Sequence, residues 1–147
     1  MSVPTIEVTD APQEADLTFI GMSLSDFNEA AVGPSGRRPL AVYLRDQSGS
    51  IVAGLSGYTA WGWLYVQWLF VSEDQRGRGC AGALLGAAEV EALARQCHGA
   101  YIDTFNPEAL KAYQRAGYAI FGQLPDFPKG RTRSFLSKSL ALSGSAV

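Results

Sequence analysis

The apolar and polar positions of the chain change period several times, and each change predicts an element. Leu17, Ile20, Leu24 and Phe27 recur at three- and four-residue intervals, the spacing of one helix face, and predict a helix from about Ala11 to Glu29. Asp10, Ala11, Pro12 and Gln13 stand in the order of a capping box and set its start. Ahead of it, Ile6 to Val8 predicts a short opening strand, and "AVGPSGRRP" behind it reads as a loop. "LAVYLRD" and "SIVAGLSGY" then predict two antiparallel strands joined tightly at "QSG". "WGWLYVQWLFV" is apolar on both faces, as a central strand is. Strict alternation puts Trp63, Tyr65, Gln67 and Leu69 on one face, and Leu64, Val66, Trp68 and Phe70 on the other.

From Gly79 to about Cys97 the period is helical again. Ala81, Leu84, Leu85, Ala88 and Ala92 form the inward stripe, and Glu91 and Arg95 an outward i,i+4 pair. "AYIDTF" is a further central strand. Asn106, Pro107 and Glu108 open another helix as cap, first helical residue and first-turn acid, and Gly117 ends it. "YAIFGQL" and "TRSFLSKSL" close the chain as a hairpin around "PDFPKG". This order gives an α+β (mixed α/β) fold: a largely antiparallel central sheet with one strand–helix–strand crossover.

Length and composition add few constraints. The 147 residues suit one domain, 1–147, and 47% hydrophobic with 18% charged residues describes a folded chain rather than a disordered one. A net charge of −2 without a long basic run argues against nucleic acid as the partner. No apolar run reaches membrane-spanning length, and no basic-then-apolar leader opens the sequence. With only Cys80 and Cys97, the default location is cytoplasmic.

The chemistry gathers at "RGRGCA", Arg76 to Ala81, where Gly77, Gly79 and Gly82 have the spacing G-x-G-x-x-G. A dinucleotide fold needs that loop directly after the first strand of a parallel sheet. Here about half the chain precedes it and reads as hairpins, and "SEDQR" separates it from Val71. What remains is a flexible bend before a helix N-terminus, flanked by Arg76 and Arg78, which suits a pyrophosphate. A plain glycine-rich helix start with solvated arginines is the alternative.

"RGRGCA" resembles the R/Q-x-x-G-x-G/A signature of the GCN5-related N-acetyltransferase (GNAT) family. The resemblance extends through the crossover to "YIDTFNPEALKAYQRAGY", which supplies Asn106, Tyr113, Gly117 and Tyr118 in the family's order. It implies the GNAT fold, with a splayed parallel strand pair flanked by helices, and acetyl-CoA as co-substrate with no metal. It also implies a pyrophosphate cradle at Arg76, Gly77, Arg78, Gly79, Cys80 and Ala81, and a pantetheine arm along Leu69, Phe70 and Val71, where backbone N–H groups hold the developing oxyanion. Tyr113 matches the family's general acid, although spacing alone reads it as core beside Leu110. Asn106 matches a pantetheine contact besides its capping role.

For the base, Glu73 is the candidate, beside a water relay. His98 reads as a helix-end residue and Cys80 as a small filler. Phe27, Trp63, Gln67 and Asp126 are candidates for the acceptor pocket, with Asp26 and Glu29 as further acids. The implied reaction is N-acetylation of a primary amine on a small molecule, by direct attack in a ternary complex. A non-catalytic acyl-CoA-binding module and a protein or peptide N-acetyltransferase stay open as alternatives, and a homodimer is compatible with the resemblance.

Overall fold

A computed structural model describes residues 2–141; residues 1 and 142–147 of the expected domain lie outside the described residues. The described residues fall into two compact units, one up to Ser35 and one from Gly36 onward.

In the first unit, residues 6–8 form no strand, and Ile6 and Val8 are 96% and 93% exposed. The helix α1 spans Glu14–Val32, so it starts later and ends later than its periodicity predicts. Pro12 disfavours a helical Ala11. The cap falls on an extended Gln13 that makes no side-chain cap bond, so the Asp10 capping box does not form. Glu14 and Asp16 instead place their charges in the first turn, where the helix dipole favours them. The helix forms, but its apolar stripe is not buried: α1 buries none of its residues, and Phe27 is 73% exposed.

The second unit is a six-stranded sheet with two helices. In chain order it comprises β1 (Arg38–Arg45), β2 (Ile51–Ala60), β3 (Trp63–Val71), a short 3-10 turn (Glu73–Gln75), α2 (Cys80–Ala94), β4 (Gly99–Thr104), α3 (Pro107–Arg115), β5 (Ala119–Pro125) and β6 (Thr132–Ser139). The strands lie in the order β1-β2-β3-β4-β6-β5, all antiparallel except β3 with β4. This is the mixed α+β architecture read from the sequence.

The core lies between the sheet and α2. Leu84, Leu85, Ala88 and Ala92 of α2 cluster with Leu55, Leu64, Val66, Ile102 and Leu136 of the strands. Arg95 corrects the outward reading. It does pair with Glu91 at 2.8 Å, but its side chain is only 13% exposed. Its Nη1 donates to the Pro39 carbonyl and to Thr59 Oγ1, both at 3.1 Å, and so ties the end of α2 to β1 and β2.

A bulge in β3 overturns the strict alternation. Ser56 pairs with Trp68 but Gly57 pairs with Val66, so Gln67 is an extra residue. Leu69 and Val71 therefore face the core with Leu64 and Val66. Trp68 and Phe70 share the outer face with Trp63 and Tyr65, and are 68% and 59% exposed. The backbones meet closely here: a Cβ on Gly57 would lie 1.8 Å from the Tyr65 carbonyl oxygen, so only glycine fits.

Candidate active site: a fork between two parallel strands

The parallel register of β3 and β4 runs from Trp63↔Gly99 to Val66↔Ile102 and stops at the bulge. Beyond it β3 continues to Val71 paired with β2, while β4 continues to Thr104 paired with β6. The two strands therefore leave a fork, one edge of which is the backbone of Gln67 to Val71. Leu69, Phe70 and Val71 all lie on this open edge, and unpaired peptide groups on such an edge accept an extended partner.

The glycine loop follows directly. Gly77 and Gly79 both have φ +76°, a left-handed conformation that disfavours side chains, and a Cβ at either would meet no atom within 4 Å. The constraint on these glycines is thus backbone conformation and open approach, not crowding. Gly79 caps α2 with no side-chain cap bond, which leaves the first-turn amides of Cys80 and Ala81 presented. Cys80 is packed against the core, its Sγ 3.4 Å from the Gln75 carbonyl. Arg76 folds back so that Nε donates to the Val71 carbonyl at 3.0 Å, joining the loop to the fork's edge, while Arg78 is exposed.

On the other side stands α3. Asn106 Oδ1 accepts from the backbone N–H groups of Glu108 (2.8 Å) and Ala109 (3.3 Å), with Pro107 at the first position, as its sequence predicts. A cavity of about 340 Å³ opens beside it, between the start of α3 and the β5–β6 turn. Tyr113 is 4% exposed. Burial, with the Asp103 carboxylate as a second cause, pushes its phenol up to about 12. Tyr113 thus packs in the core, as its spacing reads, within reach of the Asp103 charge.

On the outer face of the sheet the sequence reading named Trp63 but not the Tyr65–Tyr101 stack beside it. Tyr65 and Tyr101 stack with centroids 4.7 Å apart, Tyr58 packs edge-on to Tyr65 at 5.5 Å, and the Arg37 guanidinium lies 3.8 Å over Tyr58. Burial, followed by the charge of Tyr58, pushes the Tyr101 phenol up to about 12. Trp63 continues this wall, 6.1 Å from Tyr101 and 5.3 Å from His98. A groove of about 320 Å³ lies among Trp63, Tyr101, Phe121 and Ser137. The tyrosines are far apart in sequence, and their alternation within each strand was the only sequence signal.

The remaining candidates are dispersed. Glu73 is exposed on the 3-10 turn, on the loop side of the fork. Gln67 is exposed at the bulge. Asp126 closes the β5–β6 turn, its Oδ1 accepting from Gly130 N at 3.1 Å. Phe27 belongs to the first unit, on α1. Among the described residues no group of three or more His, Cys, Asp or Glu side chains is placed to hold a metal, and no helix is long and apolar enough to cross a membrane.

With this geometry in hand, the chain compares closely with known acetyltransferases. It is 47% identical over 132 residues to the acetyltransferase Atu2258 of Agrobacterium fabrum, covering 90% of this chain and 94% of that one. It is 38% identical over 109 residues to the blasticidin-S acetyltransferase of Streptomyces morookaense, covering 70% and 79%. The crystal structure of an acetyltransferase from Agrobacterium tumefaciens superposes with a TM-score of 0.87 at 41% identity, covering 92% of this chain and 99% of that one. Residues 10–118 match the acetyltransferase (GNAT) family, which uses acetyl-CoA as co-substrate; the chain belongs to that family and is an acyltransferase.

Proposed function

We propose that this acyltransferase moves the acetyl group of acetyl-CoA to a primary amine of a small molecule, by direct attack within a ternary complex. The single observation that carries the reading is the fork, with a left-handed glycine turn and a helix N-terminus after one strand and, near Asp103 of the other, a buried phenol. In this reading the pyrophosphate lies on the amides of residues 77–81, with Arg76 and Arg78 adding charge. The pantetheine arm pairs with the open edge at Leu69, Phe70 and Val71 and is met by Asn106. Backbone N–H groups of the same edge stabilise the oxyanion as the amine attacks.

Tyr113 then donates its proton to the departing thiolate. In water a thiol near ~8.5 would not draw a proton from so weak an acid. In this reading the thiolate, however, forms beside the buried phenol with the cofactor covering it, and burial raises thiols as it raises phenols. Glu73, on the loop side, is the less favoured route for the amine's proton, and a water relay from the open outer face the more favoured one. The blasticidin-S acetyltransferase relative supports a small-molecule acceptor, and makes blasticidin S the first amine to try.

Thiol release from acetyl-CoA, followed against a panel of amines, tests this. Amine-dependent release is expected, with kcat lowered roughly 100-fold in Tyr113→Phe and acetyl-CoA affinity unchanged. Protein that binds CoA by calorimetry yet releases no thiol with any amine would overturn the reading.

A further inference from the structure

The outer side of the fork holds a charge that neither the loop nor α3 accounts for. Asp103 follows Ile102, the last rung of the parallel register, so it stands where β3 and β4 begin to part. Its pairing with Phe135 puts it on the same face as Tyr101, among the aromatic wall rather than in the core. Its Oδ2 accepts from Arg133 Nη1 at 2.8 Å, and the two side chains are only 18% and 21% exposed. The Arg133 guanidinium lies 4.0 Å over the Phe127 ring and 5.0 Å from that of Phe105, which fixes its position. Its Nε is buried and has no hydrogen-bond partner among the described residues. Such an arrangement costs stability, and it is the sort of feature that functional sites retain. The Asp103 charge reaches both sides of the sheet. After burial, it is the next cause raising Tyr113 on the inner side and Tyr65 on the outer.

We propose that Asp103 is the acceptor-binding carboxylate: it accepts a hydrogen bond from the ammonium of the incoming amine, while Arg133 positions it and Tyr65 and Tyr101 take the acceptor's body. This deepens the acetyl-transfer reading above and rests on it. A carboxylate accepts several hydrogen bonds, so the one from Arg133 leaves room for the amine. Partial burial between aromatic rings strengthens the attraction relative to water. Carboxylates are far weaker bases than amines (roughly 4 against 10), so the role is to hold and orient. The ammonium gives one proton to water. Its nitrogen then forms the C–N bond as the C–S bond breaks. The thiolate takes the Tyr113 proton, and the proton shed by the new amide nitrogen returns through water to Tyr113.

Asp103→Asn keeps an oxygen for Arg133 and removes only the charge. Thiol release is measured for wild type and variant with tyramine and spermidine, both cationic at neutral pH, and with phenylhydrazine, which is uncharged there. The variant is expected to lose roughly 10- to 100-fold in kcat/KM for the cationic amines, mostly through KM. Phenylhydrazine should stay within about 3-fold, and the KM for acetyl-CoA should hold. Arg133→Lys, which keeps a cation but loses the planar fork, should raise the amine KM by a smaller factor and leave acetyl-CoA alone. Wild-type turnover with an Asp103→Asn that is unchanged, or that loses equally on charged and neutral nucleophiles, overturns the inference and spares the acetyl-transfer reading. A wild type that binds CoA but turns over neither these three nor any amine of the wider panel brings down both.

Discussion

The two sides of the fork are built in different ways. The inner side, the donor side in the function proposed above, is assembled from short local stretches. Six consecutive residues, Arg76 to Ala81, make the loop and the helix start, and Asn106 to Tyr113 make one helix that supplies both a cap and a buried phenol. Its chemistry is largely backbone chemistry, set by glycine φ values and aligned peptide groups. The outer side has no local element at all. Tyr58, Tyr65, Asp103 and Arg133 come from four different strands and meet only because the sheet order β2-β3-β4-β6 brings them side by side. A donor site that must grip one invariant molecule is well served by backbone. A side-chain wall spread over four strands can be altered one residue at a time without disturbing that grip.

The bulge at Gln67 joins the two sides, so breaking it has the largest expected effect. Gly57→Ala would drive a Cβ against the Tyr65 carbonyl, at a distance no side chain tolerates. The bulge has to straighten, and a one-residue slip exchanges the faces of everything beyond it. Leu69 and Val71 would leave the core while Trp68 and Phe70 turned inwards. A loss of at least about 3 kcal/mol in urea unfolding is expected, together with loss of acetyl-CoA binding and of turnover. A variant of wild-type stability and activity would show that the two sides are independent of the bulge.

The donor side alone is struck by Gly79→Val. A Cβ there meets no atom within 4 Å, so the fold should survive, but a β-branched residue at φ +76° costs about 1–2 kcal/mol and should withdraw the loop amides from their positions. Losing about two hydrogen bonds to a charged phosphate corresponds to roughly 100-fold weaker acetyl-CoA binding by calorimetry. Gly82→Ala is the contrast within the same G-x-G-x-x-G run. Gly82 lies inside α2, where alanine adds up to about 1 kcal/mol of stability, and acetyl-CoA affinity should hold. Equal effects at the two glycines would mean that spacing, not conformation, explains the motif.

These contrasts also explain what could be read from the sequence. The Asn106–Pro107 start of α3, the α2 stripe and the succession of the six strands along the chain from β1 onward were all legible, because caps, periods and turns are local signals. α1 was legible as a helix from its period, but a period reports a face and not what covers it, and Pro12 displaced its start. Arg95 was half legible, since spacing names Glu91 as its neighbour but not the strand carbonyls it also caps. The outer face was hidden by one inserted residue. Alternation counted straight through Gln67 assigns Leu69 and Phe70 to the wrong sides, and nothing in "WLYVQWLFV" announces a bulge except the partner glycine at 57, which lies across the hairpin. Glu73 drew attention because it is close to the loop in sequence, whereas Asp103, opposite the bulge in space, looked like an ordinary strand residue.

On the acceptor side, Tyr65→Leu should lower kcat/KM for the amine by roughly 10-fold, since it removes one ring of the stacked pair with Tyr101 and a partner of Tyr58. Calorimetric acetyl-CoA affinity should stay within about 2-fold. A comparable loss of acetyl-CoA binding would mean that the aromatic wall supports the donor after all.

The smallest effect separates the two sides by alkaline pH. Burial pushes the Tyr113 phenol on the inner side up to about 12 in the folded chain, against roughly 10 for an unfolded tyrosine. Below pH 10 the phenol keeps its proton in both states and its full contribution is present. Between 10 and 12 the unfolded chain ionises first, so stability falls as pH rises, and above 12 the contribution is gone. Tyr118, buried and donating to Glu89 at 2.9 Å, shifts upwards for the same leading reason and acts in the same direction. The difference for Tyr113 is on the order of 2 kcal/mol across that window. Tyr101 on the outer face also titrates at about 12, but it is more open to solvent, so water and salt diminish its share. Urea unfolding between pH 8 and 11.5 should therefore show a shallower alkaline loss in Tyr113→Phe than in wild type, and a smaller change of slope in Tyr101→Phe. The reverse order would place the desolvated phenol on the acceptor side, and the proton donor for the thiolate would then have to be sought there.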